Sequence, residues 1–188
     1  MGRFDRPEEL GAHLAENAAT WTDLLGELDA RSIEVFGRID AVARQAAALH
    51  RELLTPHGVN YAELITLGIL RTTRPAPRRS PTELRALLGQ TSAGMTRILD
   101  KLETEGLVRR ESSPGDRRRV DIVLAPRGRR LAETAFRELL SAQNRLLAGV
   151  DARARRAAIR AFDSLLTAFA DRSTARDGDD NGDGDGDT

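Results

Sequence analysis

The chain has 188 residues, in which 29 Lys or Arg balance 29 Asp or Glu, and it contains no cysteine. A net charge of zero argues against a generic polycation that coats DNA, and the absence of thiols excludes a disulfide framework, a thiolate zinc site and cysteine-based redox sensing. No stretch approaches the roughly 20 apolar residues of a membrane-spanning helix, and the N-terminus lacks a signal-peptide apolar run, so a cytoplasmic protein without membrane contact is expected.

Along the chain, Leu10, Leu14, Trp21, Leu24, Leu25 and Leu28 predict one or two amphipathic helices in an N-terminal extension, residues 1–29. Phe36, Ile39, Ala43, Ala46, His50 and Leu53 mark the apolar stripe of a longer helix that ends before Pro56. Asn60 is placed to cap the next helix, which carries Leu64, Leu67 and Leu70 and fades by Pro75. The proline- and arginine-rich link that follows predicts a loop whose Arg74, Arg78 and Arg79 are available to phosphates.

Residues 80–124 carry most of the information. Ser80, Pro81 and Glu83 form a capping-box start, followed by Leu84, Leu87 and Leu88 facing a core. Gly89 supplies the left-handed residue that closes this helix, and Thr91 or Ser92 caps the next. In that second helix Met95, Ile98, Leu99 and Leu102 are the buried stripe, and Gly106 ends it. The opposite face holds Ala93, Arg97, Asp100 and Thr104, flanked by Ser92, Gly94, Thr96 and Lys101. Small residues at its start let the backbone approach a partner closely, and Arg97 one turn later can reach base edges or phosphates.

Leu107 to Glu111, a turn at residues 112–115, and Arg118 to Leu124 then predict a two-stranded hairpin. Alternation of Val120, Ile122 and Leu124 with Arg119, Asp121 and Val123 predicts one buried face. The tip carries Asp116, Arg117, Arg118 and Arg119. By itself such a tip fits a solvated hairpin; behind a helix-turn-helix it fits a wing for phosphates or the minor groove. Charge distribution agrees with the second reading. Residues 71–130 hold fifteen Arg or Lys and seven Asp or Glu, so the balance of the chain is acidic.

The segment SPTELRALLGQTSAGMTRILDKLETEGLVRR, the wing Asp116-Arg117-Arg118 and the return VDIVLAPRG resemble the MarR family of winged helix-turn-helix transcriptional regulators. The resemblance extends over residues 30–172 and implies a mainly α fold with a small β-hairpin wing, its winged core at 60–125 flanked by dimerisation helices at 30–55 and 126–172. It implies that Arg118 enters the minor groove with Asp116 steadying it. It also implies a homodimer of interleaved outer helices that presents two recognition helices to a pseudo-palindromic site in double-stranded DNA. Where the family pattern usually has threonine after the strand leucine, this chain has Ala125, so the next helix starts on Pro126.

Pro126 opens a helix with Leu131, Phe136, Leu139 and Leu146, and Asp151 caps a last one with Ile159, Phe162, Leu165, Leu166 and Phe169. Among the histidines, His13, His50 and His57 follow no metal-ligand spacing, so no metal and no cofactor is expected. Members of the family often bind a small aromatic or anionic effector, and by position His50 and Tyr61 are candidates to line its site. The acidic low-complexity stretch 173–188 predicts a disordered tail, despite a partial calcium-loop pattern at Asp177, Asp179 and Asn181. No nucleophile–base pair or phosphate-cradling glycine loop is present, which argues against an enzyme. A transcriptional regulator, with repression released by a ligand, is the leading reading; a winged-helix module that binds protein is the other.

Overall fold

The computed structural model describes residues 6–26, 28–113 and 116–179. The chain divides into two compact units, Met1–Leu139 and Leu140–Thr188. In chain order the elements are α1 (Pro7–Leu25), α2 (Ser32–Leu54), α3 (Tyr61–Thr72), β1 (Arg78–Arg79), α4 (Pro81–Leu88), α5 (Ser92–Thr104), β2 (Val108–Ser113), β3 (Asp116–Leu124), α6 (Pro126–Leu147) and α7 (Ala152–Asp179). A single 3₁₀ turn, Thr55–His57, joins α2 to α3.

Local chemistry sets the helix starts. The Asn60 side chain accepts from the Glu63 N–H while Glu63 accepts from the Asn60 N–H, and Ser80 and Glu83 repeat the arrangement at α4. Thr91 Oγ1 accepts from the Gly94 N–H to open α5, and Asp151 Oδ1 accepts from the amides of Arg153 and Ala154 to open α7. Gly89, at φ 59°, ends α4 in the left-handed conformation that lets the chain turn sharply into α5.

In the first unit one apolar cluster joins the helix-turn-helix to its supports. Leu54, Leu64, Leu67, Leu70, Leu84, Leu99, Leu102, Leu107 and Ile122 are all fully buried in it. From α6, Ala132, Ala135 and Leu139 complete the cluster, with Leu131 and Phe136 packed against its edge. Of the three leucines assigned to the α4 core face, Leu84 is buried and Leu88 packs beside it, but Leu87 lies on the flank and is exposed.

The sheet departs from the predicted hairpin in three ways. It has three antiparallel strands in the order β1-β3-β2, because Arg78 and Arg79, assigned to a loop, pair with Val123 and Ile122. β3 is therefore a central strand, and Asp121 and Val123 are buried as well as Ile122 and Leu124. Val120, at the point where the hairpin leaves the body, is 44% exposed rather than buried. Finally, the strands run closer to the tip than predicted, to Ser113 and from Asp116; residues 114–115 of the predicted turn lie outside the described residues.

Outside this core the helices leave apolar side chains uncovered. Helix α1 packs Leu14 and Ala18 inward but exposes Trp21, Leu24 and Leu25. In α2, only Leu54 is fully buried. In the second unit α7 exposes Ile159, Phe162, Leu166 and Phe169. The helix continues to Asp179, into the stretch predicted as a tail, while residues 180–188 lie outside the described residues.

Candidate nucleic-acid interface

Helix α5 is held from behind by Met95, Ile98, Leu99 and Leu102, so its opposite face points to solvent. Ser92 and Ala93 are exposed at its start, beside the half-buried Gly94. Thr96 is exposed and donates its hydroxyl to the Ser92 carbonyl at 3.0 Å, which leaves its oxygen lone pairs facing outward. Arg97 follows on the same face, exposed and without an ion-pair partner among the described residues.

Lys101 behaves differently. Its ammonium donates to Glu63 Oε2 at 2.7 Å and to the Gly58 carbonyl at 2.9 Å, with Glu105 also nearby at 3.8 Å. Glu63 is buried, and its carboxylate also takes the Asn60 N–H and side-chain amide, both at 2.9 Å. A buried carboxylate needs such donors. Lys101 thus ties α5 to the start of α3, and its charge is already committed inside the protein.

In the wing, Asp116 Oδ1 accepts from the backbone N–H of Arg118 at 2.9 Å, so the aspartate shapes the turn backbone rather than gripping the guanidinium. The register shifts between Ser112 and Ser113, where Val120 and Asp116 are the successive partners. Arg117, Arg118 and Arg119 lie in this bulge, the kind of irregularity that re-aims side chains. Arg118 and Arg119 are exposed and have no ion-pair partner among the described residues; the side chain of Arg117 lies outside them.

Other arginines of the basic stretch are engaged with carboxylates. Arg78 lies 3.8 Å from Glu111 and 3.9 Å from Asp121, and Arg79 pairs with Glu83 at 3.1 Å. Arg109 pairs with Glu111 at 2.9 Å. Arg110 reaches Asp100 at 2.6 Å and also binds Glu103. Arg74 donates to the carbonyls of Arg71 and Thr73, each at 3.4 Å, and has no ion-pair partner among the described residues. One cation escaped the sequence reading: Arg85, on α4, is exposed and has no ion-pair partner among the described residues. Its signal was its place in the last turn of the first helix of the pair, the helix that crosses the backbone in such motifs.

His50 and Tyr61 stand together, their rings stacked 3.9 Å apart and 3° from parallel. Burial holds the His50 pKa below the usual histidine value. Tyr61 is the residue after the Asn60 cap, so the stack joins the end of α2 to the start of α3. Among the described residues no three His, Asp or Glu side chains gather as a metal site, and no helix is long and apolar enough to cross a membrane.

A capped helix pair, an outward-facing second helix and a bulged, arginine-bearing hairpin on a three-stranded sheet define a winged helix-turn-helix protein. Residues 57–119 match the model of the MarR family. The fold is similar to that of Sco5413, a MarR-family regulator from Streptomyces coelicolor, with a TM-score of 0.65 and 21% identity over 74% of this chain and 96% of that one. It is similar as well to the C80S mutant of E. coli MarR complexed with operator DNA, with a TM-score of 0.64 and 25% identity over 72% and 96%. In sequence the chain is 27% identical to the transcriptional repressor YetL of Bacillus subtilis over 117 residues, 62% of this chain and 67% of that protein. Over residues 57–119 the chain thus matches the MarR family, and its fold is similar to that of MarR-family structures.

Proposed function

We propose that this regulator binds a specific sequence in double-stranded DNA as a homodimer and acts as a repressor released by a small molecule. The observation that carries the reading is the division among its basic residues. Arg97 on the outer face of α5 and Arg118 and Arg119 in the wing are exposed and unpaired among the described residues, while Arg78, Arg79, Arg109 and Arg110 neutralise carboxylates. Unpaired arginines on a helix and a wing suit forked contacts to guanine and phosphate. The E. coli relative bound to operator DNA and the repressor YetL support the same reading. Two copies would present α5 to successive major grooves, about 34–36 Å apart.

In this reading Ser92, Ala93, Gly94 and Thr96 border the bases, Arg97 reads them, and Arg117, Arg118 and Arg119 meet the phosphates or minor groove of the flank. The exposed apolar faces of the outer helices are the dimer contact, and the effector enters at the His50–Tyr61 stack. Such an effector releases DNA only through a different affinity for the two arrangements of the dimer.

The test is selection of duplexes from a random pool by the full chain, followed by titration of the enriched sequence. Arg97→Ala should weaken binding by about 1–3 kcal/mol and relax the preference at the base pair it reads. Arg118→Ala should weaken binding broadly and lose any A·T preference in the flanks. Affinity should fall steeply with salt as counterions leave the phosphates. If the doubly substituted protein bound as tightly as the parent at moderate salt, the reading would be wrong.

A further inference from the structure

The exposed face of α5 carries an internal conflict. Asp100 lies three residues after Arg97 on the same face, the spacing at which opposite charges on a helix pair with each other. Yet Arg97 has no ion-pair partner among the described residues, because Asp100 is taken elsewhere. Arg110, on the wing strand β2, donates from Nη2 to Asp100 Oδ1 at 2.6 Å. Its other guanidinium nitrogen donates to Glu103 Oε2, and its backbone N–H donates to Glu103 Oε1 at 3.1 Å. One guanidinium therefore spans the two carboxylates that α5 turns toward the wing. Hydrogen bonding to Asp100 raises the Arg110 pKa, with the charge of Glu103 adding to it, so the clamp stays charged.

We propose that Arg110 is a positioning residue for base recognition: it holds Asp100 away from Arg97 and masks Asp100 and Glu103 from the DNA phosphates. The wing and the recognition helix are joined by the same contacts, so the wing sets which α5 charges are free. Without Arg110, Asp100 turns to Arg97 and occupies its guanidinium, and two bare carboxylates face the phosphate backbone. The forked geometry matters, since an ammonium is a single point charge and cannot span both acids in the same way.

The inference rests on the DNA-reading proposal, and its test separates the two. The probe is the duplex enriched by the parent protein from a random pool, titrated with Arg110→Ala, Arg110→Lys and the double variant Arg110→Ala with Asp100→Asn. Circular dichroism and thermal melting establish that each is folded. Arg110→Ala should bind about tenfold more weakly, the scale of a lost charged hydrogen bond, and should lose preference at the base pair that Arg97→Ala also relaxes. Arg110→Lys should fall between, and it supplies the same comparison if the alanine variant does not fold. The decisive outcome is rescue: adding Asp100→Asn to Arg110→Ala should restore the preference at the base pair read by Arg97 and part of the lost affinity, the remainder being the bare Glu103 carboxylate. A double variant as weak as Arg110→Ala would mean that Arg110 touches DNA itself, or merely supports the fold, and would overturn the proposal.

A second readout needs no DNA. Exchange of the Arg97 Nε–H, followed by NMR, should slow in Arg110→Ala and recover in the double variant. Unchanged exchange in Arg110→Ala would remove the Asp100–Arg97 pairing on which the proposal depends. Slowed exchange in a protein that enriches no duplex would leave the ion-pair arrangement standing and sink the DNA-reading proposal instead.

Discussion

The winged-helix segment and the outer helices place their apolar residues in opposite ways. From α3 to β3, leucines such as Leu64, Leu67, Leu84 and Leu102 are completely buried, and what remains outside is mainly polar and charged. In α1, α2 and α7 the order is reversed: Trp21, Leu24, Phe36, Val42, Ile159, Phe162 and Leu166 are all exposed. Helices of both regions are amphipathic, so the difference lies in what each stripe meets. The winged segment folds on itself because α4, α5 and the sheet supply complementary faces within about 60 residues of chain. The outer helices carry apolar side chains that are exposed among the described residues, and contiguous exposed apolar faces of that kind mark association. In the proposed homodimer, one region is complete in one copy and the other is completed by a second.

Paired truncations give the largest expected effect. Leu102→Ala, in the closed core, should cost about 2–5 kcal/mol of unfolding free energy at any protein concentration. Leu166→Ala removes a side chain that is 66% exposed, and in a lone chain its cost should stay within about 0.5 kcal/mol. If the outer helices form the dimer, its cost should instead grow with protein concentration, because association adds to apparent stability. Trp21 is the chain's sole tryptophan and is half exposed, so its emission on dilution reports the same equilibrium. Urea melts at low and high protein concentration decide the matter. An effect of Leu166→Ala that is equally small at both would break the distinction drawn between the regions.

Lys101 gives a smaller effect that bears on the boundary between scaffold and the proposed DNA-binding surface. Lys101→Met keeps the apolar stem but leaves the buried Glu63 carboxylate with the Asn60 donors alone. A stability loss of about 1–3 kcal/mol is expected, the cost of stripping a partner from a buried polar group. The salt dependence of DNA binding should not change, since this ammonium is already neutralised inside the protein. A normal melt combined with a shallower salt slope would return Lys101 to the DNA-contacting set in which its position on the sequence places it.

How much of this was legible in the sequence follows from the range of the interactions. The starts of α3, α4, α5 and α7 were readable because a cap is decided within four residues: Asn60 with Glu63, Ser80 with Glu83, Thr91 with Gly94, Asp151 with Ala154. The buried stripe of α5 was readable from its period. The strand β1 was not, since two arginines between prolines carry no strand signal and their pairing with β3 spans more than forty residues. Nor was the fate of individual charges. Whether Lys101 or Arg110 is free depends on Glu63, 38 residues from the lysine, and on Asp100, across the gap between helix and wing. Composition counts cations, and tertiary structure decides which of them are available.

The smallest effect concerns the junction between the two regions, where the end of α2 meets the start of α3 at the His50–Tyr61 stack. Burial lowers the His50 pKa in the folded protein, so folding favours the neutral ring. The sign follows from linkage. Above the ordinary histidine value, near pH 6.5, both states are neutral and the group does not affect stability. As pH falls through that value the unfolded chain takes up the proton first, and the folded state loses stability until its own lowered pKa is passed. His50→Phe keeps a planar ring against Tyr61 and removes the proton site. The melting temperature of the parent should therefore drop more than that of His50→Phe between pH 7.5 and 5.5, with the two differing least at the upper end. Parallel curves would show that the ring is not held neutral by its surroundings. A steeper parent curve would mean that the ring is packed firmly enough to feel its own charge, as the proposed effector site at this stack requires.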